Sequence, residues 1–393
     1  MKQKIRMAMR PTFILALMLM ALVEWNAAAQ SHDASEAPFF YRQRLFAPGD
    51  YGSANYRIPA IVALRDGSLL VANDRRKYNE GDLPQDIDIV VRRSEDHGRT
   101  WTEPVTIAEG QGIGHGFGDP ALVTTAGGDI VCAYAGGNGY FASTAENPIS
   151  VYITRSSDGG SSWSPAENIT ATLWGAGLDH YHGAFIASGN GLRLMRGSHA
   201  GRLLFAAAMC RTADNGSDNY IVYSDDDGHT WKRSQIAYTN GDEAKLMELT
   251  DGRVLLSVRR TGARGWSLSD DGGETWGTQG EWPEMMANAC NGEMLRMAAT
   301  DQGDTMNLLL HSIPNSMRRE NVSIYSSTDE GQSWHDPVTL CEGPSVYSSM
   351  TLLDDGTIGA YVEVNTEKGC ELWYYNFNLA WLKAETLKKT FSR

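Results

Sequence analysis

The chain has 393 residues, 42% of them hydrophobic, so it is long enough to bury a large core. Its formal net charge of −14 disfavours nucleic acids and anionic membrane surfaces as partners. Because the surroundings are acidic, any cluster of arginines at a central site is informative.

The first 29 residues have the pattern of a secretion signal. Four basic residues precede an apolar run over residues 13–23, and three alanines at 27–29 offer a small-residue cleavage site. The run is too short for a comfortable membrane span, and no other apolar stretch approaches spanning length. We therefore expect an exported protein that begins near Gln30, has no membrane span, and is periplasmic, held at the cell surface or secreted.

Short apolar strands bounded by turns recur along the remaining chain and predict an all-β fold. Six of them begin at a turn and then become apolar, at residues 66–71, 128–134, 201–208, 251–258, 304–311 and 355–362. A repeat of roughly 60 residues fits one four-stranded blade of a β-propeller. We expect residues 371–379 and the start of the chain to complete the last blade, and residues 380–393 to form a short amphipathic helix.

Five copies of the pattern Ser-x-Asp-x-Gly-x-(Ser/Thr)-Trp, called Asp boxes here, stand between these strands. They begin at Ser94, Ser156, Ser224, Ser269 and Ser327 and end at Trp101, Trp163, Trp231, Trp276 and Trp334. In each turn the Asp can accept hydrogen bonds from N–H groups, the Gly supplies a positive φ, and the Trp packs on neighbouring strands. Repeats of this kind indicate architecture and not chemistry. With the six strand repeats, they predict a single six-bladed β-propeller over residues 30–393.

Cysteine usage and motif spacing bear on cofactors. The five cysteines are widely spaced and odd in number, and we expect them to be buried thiols: Cys132, Cys210, Cys290, Cys341 and Cys370. The sequence contains neither metal-ligand spacing nor a nucleotide-binding glycine pattern. We expect no metal and no organic cofactor.

Three arginines from different repeats stand in contexts that suit one shared site at the centre of the ring. They are Arg57, Arg259 and Arg319. Three converging guanidinium groups would make a strong carboxylate clamp, because Arg keeps its charge and can bind a carboxylate bidentately. Arg260 and Arg318 adjoin two of them. Since adjacent strand residues face opposite ways, only one arginine of each pair can serve.

The chain resembles the bacterial exo-sialidases (neuraminidases) over nearly all of its predicted mature length. The motifs that carry the resemblance are the Asp boxes, Tyr56-Arg57-Ile58-Pro59, Glu243-Ala244-Lys245-Leu246-Met247-Glu248-Leu249 followed by Arg259, and Gly343-Pro344-Ser345-Val346-Tyr347-Ser348-Ser349. The resemblance implies a six-bladed propeller that removes terminal sialic acids with retention of configuration. It implies sialylated glycans as partners; we expect no nucleic acid and a monomer.

The resemblance also implies roles for individual residues. The three arginines grip the sugar carboxylate, Tyr347 is the nucleophile, and Glu243 is the base that activates it. Asp82 matches the acid/base on a mobile loop, and Glu363 matches the carboxylate that orients the first arginine. Arg76 and Asp119 match residues that line the pocket. Glu248 is the alternative base.

Elementary chemistry agrees with these roles. Sialic acid carries a carboxylate on its anomeric carbon, so an Asp or Glu nucleophile would meet like-charge repulsion there. A neutral phenol deprotonated by a neighbouring carboxylate avoids that repulsion. Asp82 must protonate the leaving oxygen, so we expect its carboxyl group to be at least partly protonated near the working pH.

Two other functions are compatible with the sequence. The covalent intermediate could pass to another sugar, or to a hydroxyl of the sialic acid itself, which would make the protein a trans-sialidase or an anhydro-forming enzyme. Aromatic residues at the rim decide between water and sugar, and the sequence does not place Trp174 or Tyr181 there. A non-catalytic sialoglycan-binding propeller would need the arginines but not Tyr347, Glu243 and Asp82 together.

Overall fold

The computed structural model describes residues 37–144, 146–173 and 180–391. The predicted secretion signal and Trp174 lie outside these residues. The strands form six separate sheets, and each sheet contacts the next one around the ring. The chain is therefore a six-bladed β-propeller, which confirms the predicted fold class.

Each blade has four main strands that pair antiparallel in chain order, except in the last blade. Blade I contains Asn55–Ala63, Leu69–Arg76, Ile87–Ser94 and Val105–Ala108. Blade II contains Phe117–Thr124, Ile130–Gly137, Ile149–Ser156 and Glu167–Asn168. Blade III contains Tyr181–Ile186, Leu203–Arg211, Ser217–Ser224 and Lys232–Arg233. Blade IV contains Ala244–Glu248, Val254–Val258, Thr261–Ser269 and Gln279–Asn288. Blade V contains Glu293–Ala298, Leu308–Pro314, Val322–Ser327 and His335–Cys341.

Blade VI closes the ring by joining the two ends of the described chain. It contains Ser345–Leu352, Ile358–Thr366, Gly369–Phe377 and, as its outer strand, Phe40–Phe46. The outer strand pairs antiparallel with the third, with Phe40 opposite Phe377. The predicted closure of the last blade by the chain start is thus confirmed.

The remaining elements are short. Strand Gly189–Asn190 adds to blade II, and Leu192–Arg193 and Tyr238–Thr239 add to blade III. The described residues also form three 3-10 turns, Asp50–Gly52, Gly197–His199 and Thr300–Gln302, and two α-helices, Thr170–Leu173 and Leu379–Phe391. The second helix packs on blade VI, where Trp381 stacks on Phe40 with 4.6 Å between ring centroids. Within the described residues, no helix combines the length and the apolar character that crossing a membrane requires.

All five Asp boxes share one hydrogen-bond pattern. In the first box, Ser94 Oγ donates to Asp96 Oδ1 at 2.8 Å and accepts the Gly98 N–H at 2.8 Å. The Asp96 carboxylate also accepts the Thr100 N–H at 2.8 Å, and Gly98 has a φ of 82°. The same Ser-to-Asp bond measures 2.8 Å in the other four boxes. The turn chemistry predicted from the motif is therefore confirmed.

The boxes fasten neighbouring blades at one end of the propeller. Arg202 Nη1 donates to the box carbonyl of Gly272 in the next blade at 3.1 Å, and the Trp101 ring packs edge-on against Tyr374 of blade VI. In blade I the box begins at Ser94, which pairs with Leu69. Arg76 pairs with Ile87 and lies at the opposite end of the same strand pair. Eight residues of strand, roughly 25 Å, separate the box turns from that other end.

Buried apolar residues fill the contacts between blades. One buried cluster joins blades II and III, and another joins blades V and VI with the C-terminal helix. All five cysteines are buried and free of disulfides, which confirms the predicted thiols.

Candidate active site

Irregular backbone at one end of two inner strands turns key side chains inward. The strand register shifts between Arg57 and Ala60, and again between Ser345 and Ser348, the segment that contains Tyr347. β-bulges of this kind re-aim side chains. Ile58 adopts a φ of 63°, which a β-branched residue rarely does. Such a conformation persists only where the surrounding structure enforces it, as at functional sites.

Tyr347 and Glu243 form the centre of the site. The Tyr347 hydroxyl donates to Glu243 Oε2 at 2.5 Å, and Arg259 Nη1 donates to the same hydroxyl at 2.6 Å. Arg259 also forms an ion pair with Glu243 Oε2. Tyr347 and Glu243 are 7% and 2% exposed. The phenol therefore lies between a carboxylate that can take its proton and a guanidinium that can stabilise the phenolate.

The Tyr347 phenol is neutral in this arrangement. Burial and the negative charge of Glu243 raise the pKa of Tyr347 well above its usual range, and the opposing effect of Arg259 does not cancel them. Ionisation of the phenol therefore needs a proton acceptor close by, and Glu243 Oε2 is in hydrogen-bond contact with the hydroxyl.

The other two arginines flank the same ring. The guanidinium carbons of Arg57 and Arg319 each lie 5.9 Å from the centroid of the Tyr347 ring. Their neighbours point elsewhere: Arg260 pairs with Glu281, and Arg318 is exposed. As expected, one arginine of each adjacent pair faces the centre.

Glu363 holds Arg57 in place. Glu363 Oε1 accepts from Arg57 Nε at 2.8 Å, and Oε2 accepts the Ile58 N–H at 3.2 Å. Its side chain is 1% exposed. The Glu363 carboxylate thus bridges Arg57 Nε and the Ile58 N–H, and the bond to Nε restricts the orientation of the guanidinium group.

Asp82 lies at the edge of the site and is 74% exposed. Its Oδ1 is 2.7 Å from Arg76 Nη2 and 3.3 Å from Arg57 Nη1. Partial burial acts to raise the pKa of Asp82, but Arg76 and Arg57 outweigh it and hold the pKa below its usual range. The two guanidinium groups thus stabilise the Asp82 carboxylate in the free protein. The expected partial protonation of Asp82 at the working pH, with substrate bound over it, stays a prediction.

Arg76 and Asp119 lie beside Asp82 in a buried charged layer. Arg76 is 2% exposed and pairs with Asp74 at 2.8 Å. The second oxygen of Asp74 accepts the Asp119 N–H at 3.0 Å. Burial raises the pKa of Asp74 to about 6, and burial together with the charge of Asp74 raises the pKa of Asp119 well above its usual range. The layer therefore offers both a guanidinium and a carboxyl group that can carry a proton.

Several residues at the site were not anticipated. Asp242 Oδ2 lies 3.2 Å from Arg259 Nε, and Asn291 Nδ2 donates to Glu243 Oε1 at 3.3 Å. Asp74 is a third, as the partner of Arg76. The position of Asp242 directly before Glu243 is a weak sequence signal that it lies at the site. No sequence motif marks Asp74 or Asn291.

Two alternatives from the sequence occupy other places. Glu248 pairs with Arg196 at 3.0 Å, and its two oxygens also accept the N–H groups of Met195 and Arg196. Glu243, and not Glu248, accepts from the Tyr347 hydroxyl. Tyr181 is 6% exposed and donates to Asp218 at 2.7 Å, so its ring does not stand free at the rim.

One group of potential metal ligands lies away from this site. In the part of the chain that the structure describes, His97, Asp354 and Asp355 alone bring three ligand-type atoms within 4.8 Å of one another. Each ring nitrogen of His97 faces one of the two carboxylates, at 2.8 and 3.1 Å. These contacts join the box turn of blade I to blade VI and account for the short distances between the three side chains.

Comparisons with known proteins agree on one family. The BNR repeat-like domain matches residues 67–360. A sialidase of Micromonospora viridifaciens is 34% identical, covering 88% of this chain, and one of Bacteroides fragilis is 30% identical, covering 80%. The chain spans 55% and 61% of those relatives' own lengths. Among solved structures, Hadza microbial sialidase Hz136 is 28% identical with a TM-score of 0.77, covering 88% of this chain and 69% of that one.

Proposed function

We propose that this chain, which belongs to the bacterial sialidase family, is an exo-α-sialidase that hydrolyses terminal sialic acids with retention. The observation that carries the proposal is the Tyr347–Glu243 hydrogen bond of 2.5 Å, placed among three guanidinium groups. Sialylated glycans are the substrate class, because an anionic sugar matches an arginine-lined site in an otherwise acidic protein.

Substrate binding uses the arginine clamp. Arg57, Arg259 and Arg319 together bind the carboxylate on the anomeric carbon, and Glu363 keeps Arg57 oriented for it. Charge-assisted bonds from guanidinium groups are the strong class of hydrogen bond. They place the anomeric carbon over the Tyr347 oxygen, so the reaction becomes effectively unimolecular.

In the first step, Glu243 takes the phenolic proton and the Tyr347 oxygen bonds to the anomeric carbon. The bond between that carbon and the leaving oxygen breaks, and Asp82 gives its proton to the leaving oxygen. The products are the free alcohol of the glycan and a covalent sialyl–tyrosine ketoside of the enzyme, with Glu243 protonated and Asp82 ionised.

Asp82 must acquire its proton when substrate binds. The substrate carboxylate competes with Asp82 for Arg57, and loss of that ion pair raises the pKa of Asp82. Burial of Asp82 under the bound substrate also raises its pKa, because the side chain is largely exposed in the free protein.

In the second step, Asp82 acts as the base. It takes a proton from water, the water oxygen bonds to the anomeric carbon, and the carbon–Tyr347 bond breaks with return of the proton from Glu243 to the phenolate. Two displacements at one carbon give retention. The exposure of Asp82 gives water direct access to this base.

The experiment is hydrolysis of a fluorogenic aryl sialoside by the purified protein, followed by proton NMR. We expect the α-anomer of sialic acid as the first product. The β-anomer as first product would contradict retention, and no release of sialic acid from any sialoside would contradict the function. Added lactose tests transfer: sialyl-lactose as a major product would make the protein a trans-sialidase.

We also propose that the protein is exported, on the basis of its first 29 residues. N-terminal sequencing of the protein from the producing cells should give a start near Gln30. An intact N-terminus in the cytoplasmic fraction alone would contradict export.

A further inference from the structure

The chain passes from blade IV to blade V through four residues, Ala289, Cys290, Asn291 and Gly292, called the crossover here. Ala289 O accepts from Arg319 Nη2 at 2.9 Å. The Cys290 side chain, 1% exposed, belongs to a small buried cluster that includes Tyr347. One short segment therefore contacts both the third arginine and the proposed nucleophile.

The third residue of the crossover contacts the proposed base. Asn291 Nδ2 lies 3.3 Å from Glu243 Oε1, 3.1 Å from Ser188 O and 3.3 Å from Ser188 Oγ. Its Oδ1 accepts the Gly292 N–H at 3.0 Å. These contacts define the amide orientation, because a flipped amide would place its oxygen against two acceptor oxygens and remove the Gly292 bond.

The two carboxylate oxygens of Glu243 thus have different hydrogen-bond partners. Oε2 accepts from Tyr347 and Arg259, whereas Oε1 accepts from Asn291. A buried carboxylate needs hydrogen bonds to stay charged, and a donor on Oε1 also prevents rotation of the group away from the phenol.

On this basis we propose that Asn291 is a positioning residue, which holds the base Glu243 in register with Tyr347. The inference rests on the proposed function, since it assigns Asn291 a part in that same reaction. Asn291 acts through Glu243 and touches neither the sugar carboxylate nor the leaving group.

A buried arginine anchors the backbone of the crossover. Arg264, 1% exposed, donates from Nη1 to Cys290 O at 2.9 Å and from Nε to Ser257 Oγ at 2.6 Å. Burial lowers the pKa of Arg264 to about 10, so the guanidinium remains charged at neutral pH. A charged donor makes a strong bond to the carbonyl and fixes the backbone that carries Asn291.

The test begins with Asn291→Leu, which keeps the side-chain volume and removes the donor. We expect kcat for an aryl sialoside to fall roughly tenfold or more, while KM and the inhibition constant for free sialic acid stay near wild type. Asn376→Leu is the matched control: Asn376 is 2% exposed and also donates two bonds from Nδ2, but lies in the third strand of blade VI. Its kcat per folded molecule should not change.

A double-mutant cycle separates positioning from structure. In a Glu243→Gln background, Asn291→Leu should cause little further loss, because its effect passes through Glu243. Equal losses in both backgrounds, or wild-type kcat for Asn291→Leu, would overturn the inference.

If Asn291→Leu does not fold, Asn291→Asp replaces it in the test. The activity of Asn291→Asp relative to wild type should rise as the pH falls, because a protonated carboxyl can donate a hydrogen bond to Glu243 and a carboxylate cannot. A flat ratio would also overturn the inference. An inactive wild-type protein would overturn the function itself.

Discussion

Arg57 and Asp82 form an ion pair, with 3.3 Å between Nη1 and Oδ1. Arg57, the first arginine of the proposed clamp, therefore holds the proposed acid Asp82 in its charged form until a substrate carboxylate displaces Asp82 from Arg57. Binding and acid catalysis are coupled through this one guanidinium.

This coupling predicts how activity depends on pH. Arg76 and Arg57 keep the pKa of Asp82 low in the free protein, and substrate binding removes part of that effect. Since kcat/KM reports the free enzyme and kcat reports the complex, the fall of kcat on the basic side should occur at higher pH than the fall of kcat/KM. Steady-state rates from pH 3 to 9 test this. Coincident basic limbs would contradict the coupling.

Asp82→Asn tests the acid role through the leaving group. Loss of a general acid costs about 10²- to 10⁴-fold when the leaving group needs a proton. We therefore expect a large loss on sialyl-lactose and a much smaller one on an aryl sialoside whose phenol leaves without help. Equal losses on the two substrates would exclude Asp82 as the acid.

Glu363→Gln tests the orientation of the clamp. Without its charge, the buried carboxamide no longer fixes Arg57, and we expect KM to rise roughly tenfold with a smaller change in kcat. Glu371→Gln is the control in the same blade, because Glu371 pairs with the half-exposed Arg44. An unchanged KM for Glu363→Gln would show that Arg57 needs no such partner.

Ser94→Ala tests the structural role of the Asp boxes. It leaves the buried Gly98 N–H without its acceptor, so the free energy of unfolding should fall by about 1–3 kcal/mol. The kcat of folded protein should not change, since the box lies at the far end of blade I. Ser161→Ala, at an exposed box position, should alter neither quantity. Urea unfolding and kinetics measure both.

The sequence was informative where structure is local or repeated. The box turns were predictable because Ser94, Asp96 and Gly98 bond within one turn, and six strand repeats determined the number of blades. The resemblance to sialidases supplied Tyr347, Glu243 and the arginines as a set, and the structure brings them together.

Contacts between distant segments were not predictable. Asn291 is a single buried amide in a crossover without any motif, and its bond to Glu243 joins residues 48 positions apart in the chain. The low pKa of Asp82 in the free protein was not anticipated, for the same reason. It depends on where Arg76 and Arg57 point, and residue spacing does not give that direction.

The central claim is that Tyr347, activated by Glu243, becomes covalently linked to the sugar. The most direct measurement is treatment with a fluorinated sialic acid that slows the second step, followed by digestion and mass spectrometry. We predict one sialyl adduct on Tyr347, formed far more slowly in Glu243→Gln. An adduct on another residue, or wild-type labelling of Glu243→Gln, would contradict the account.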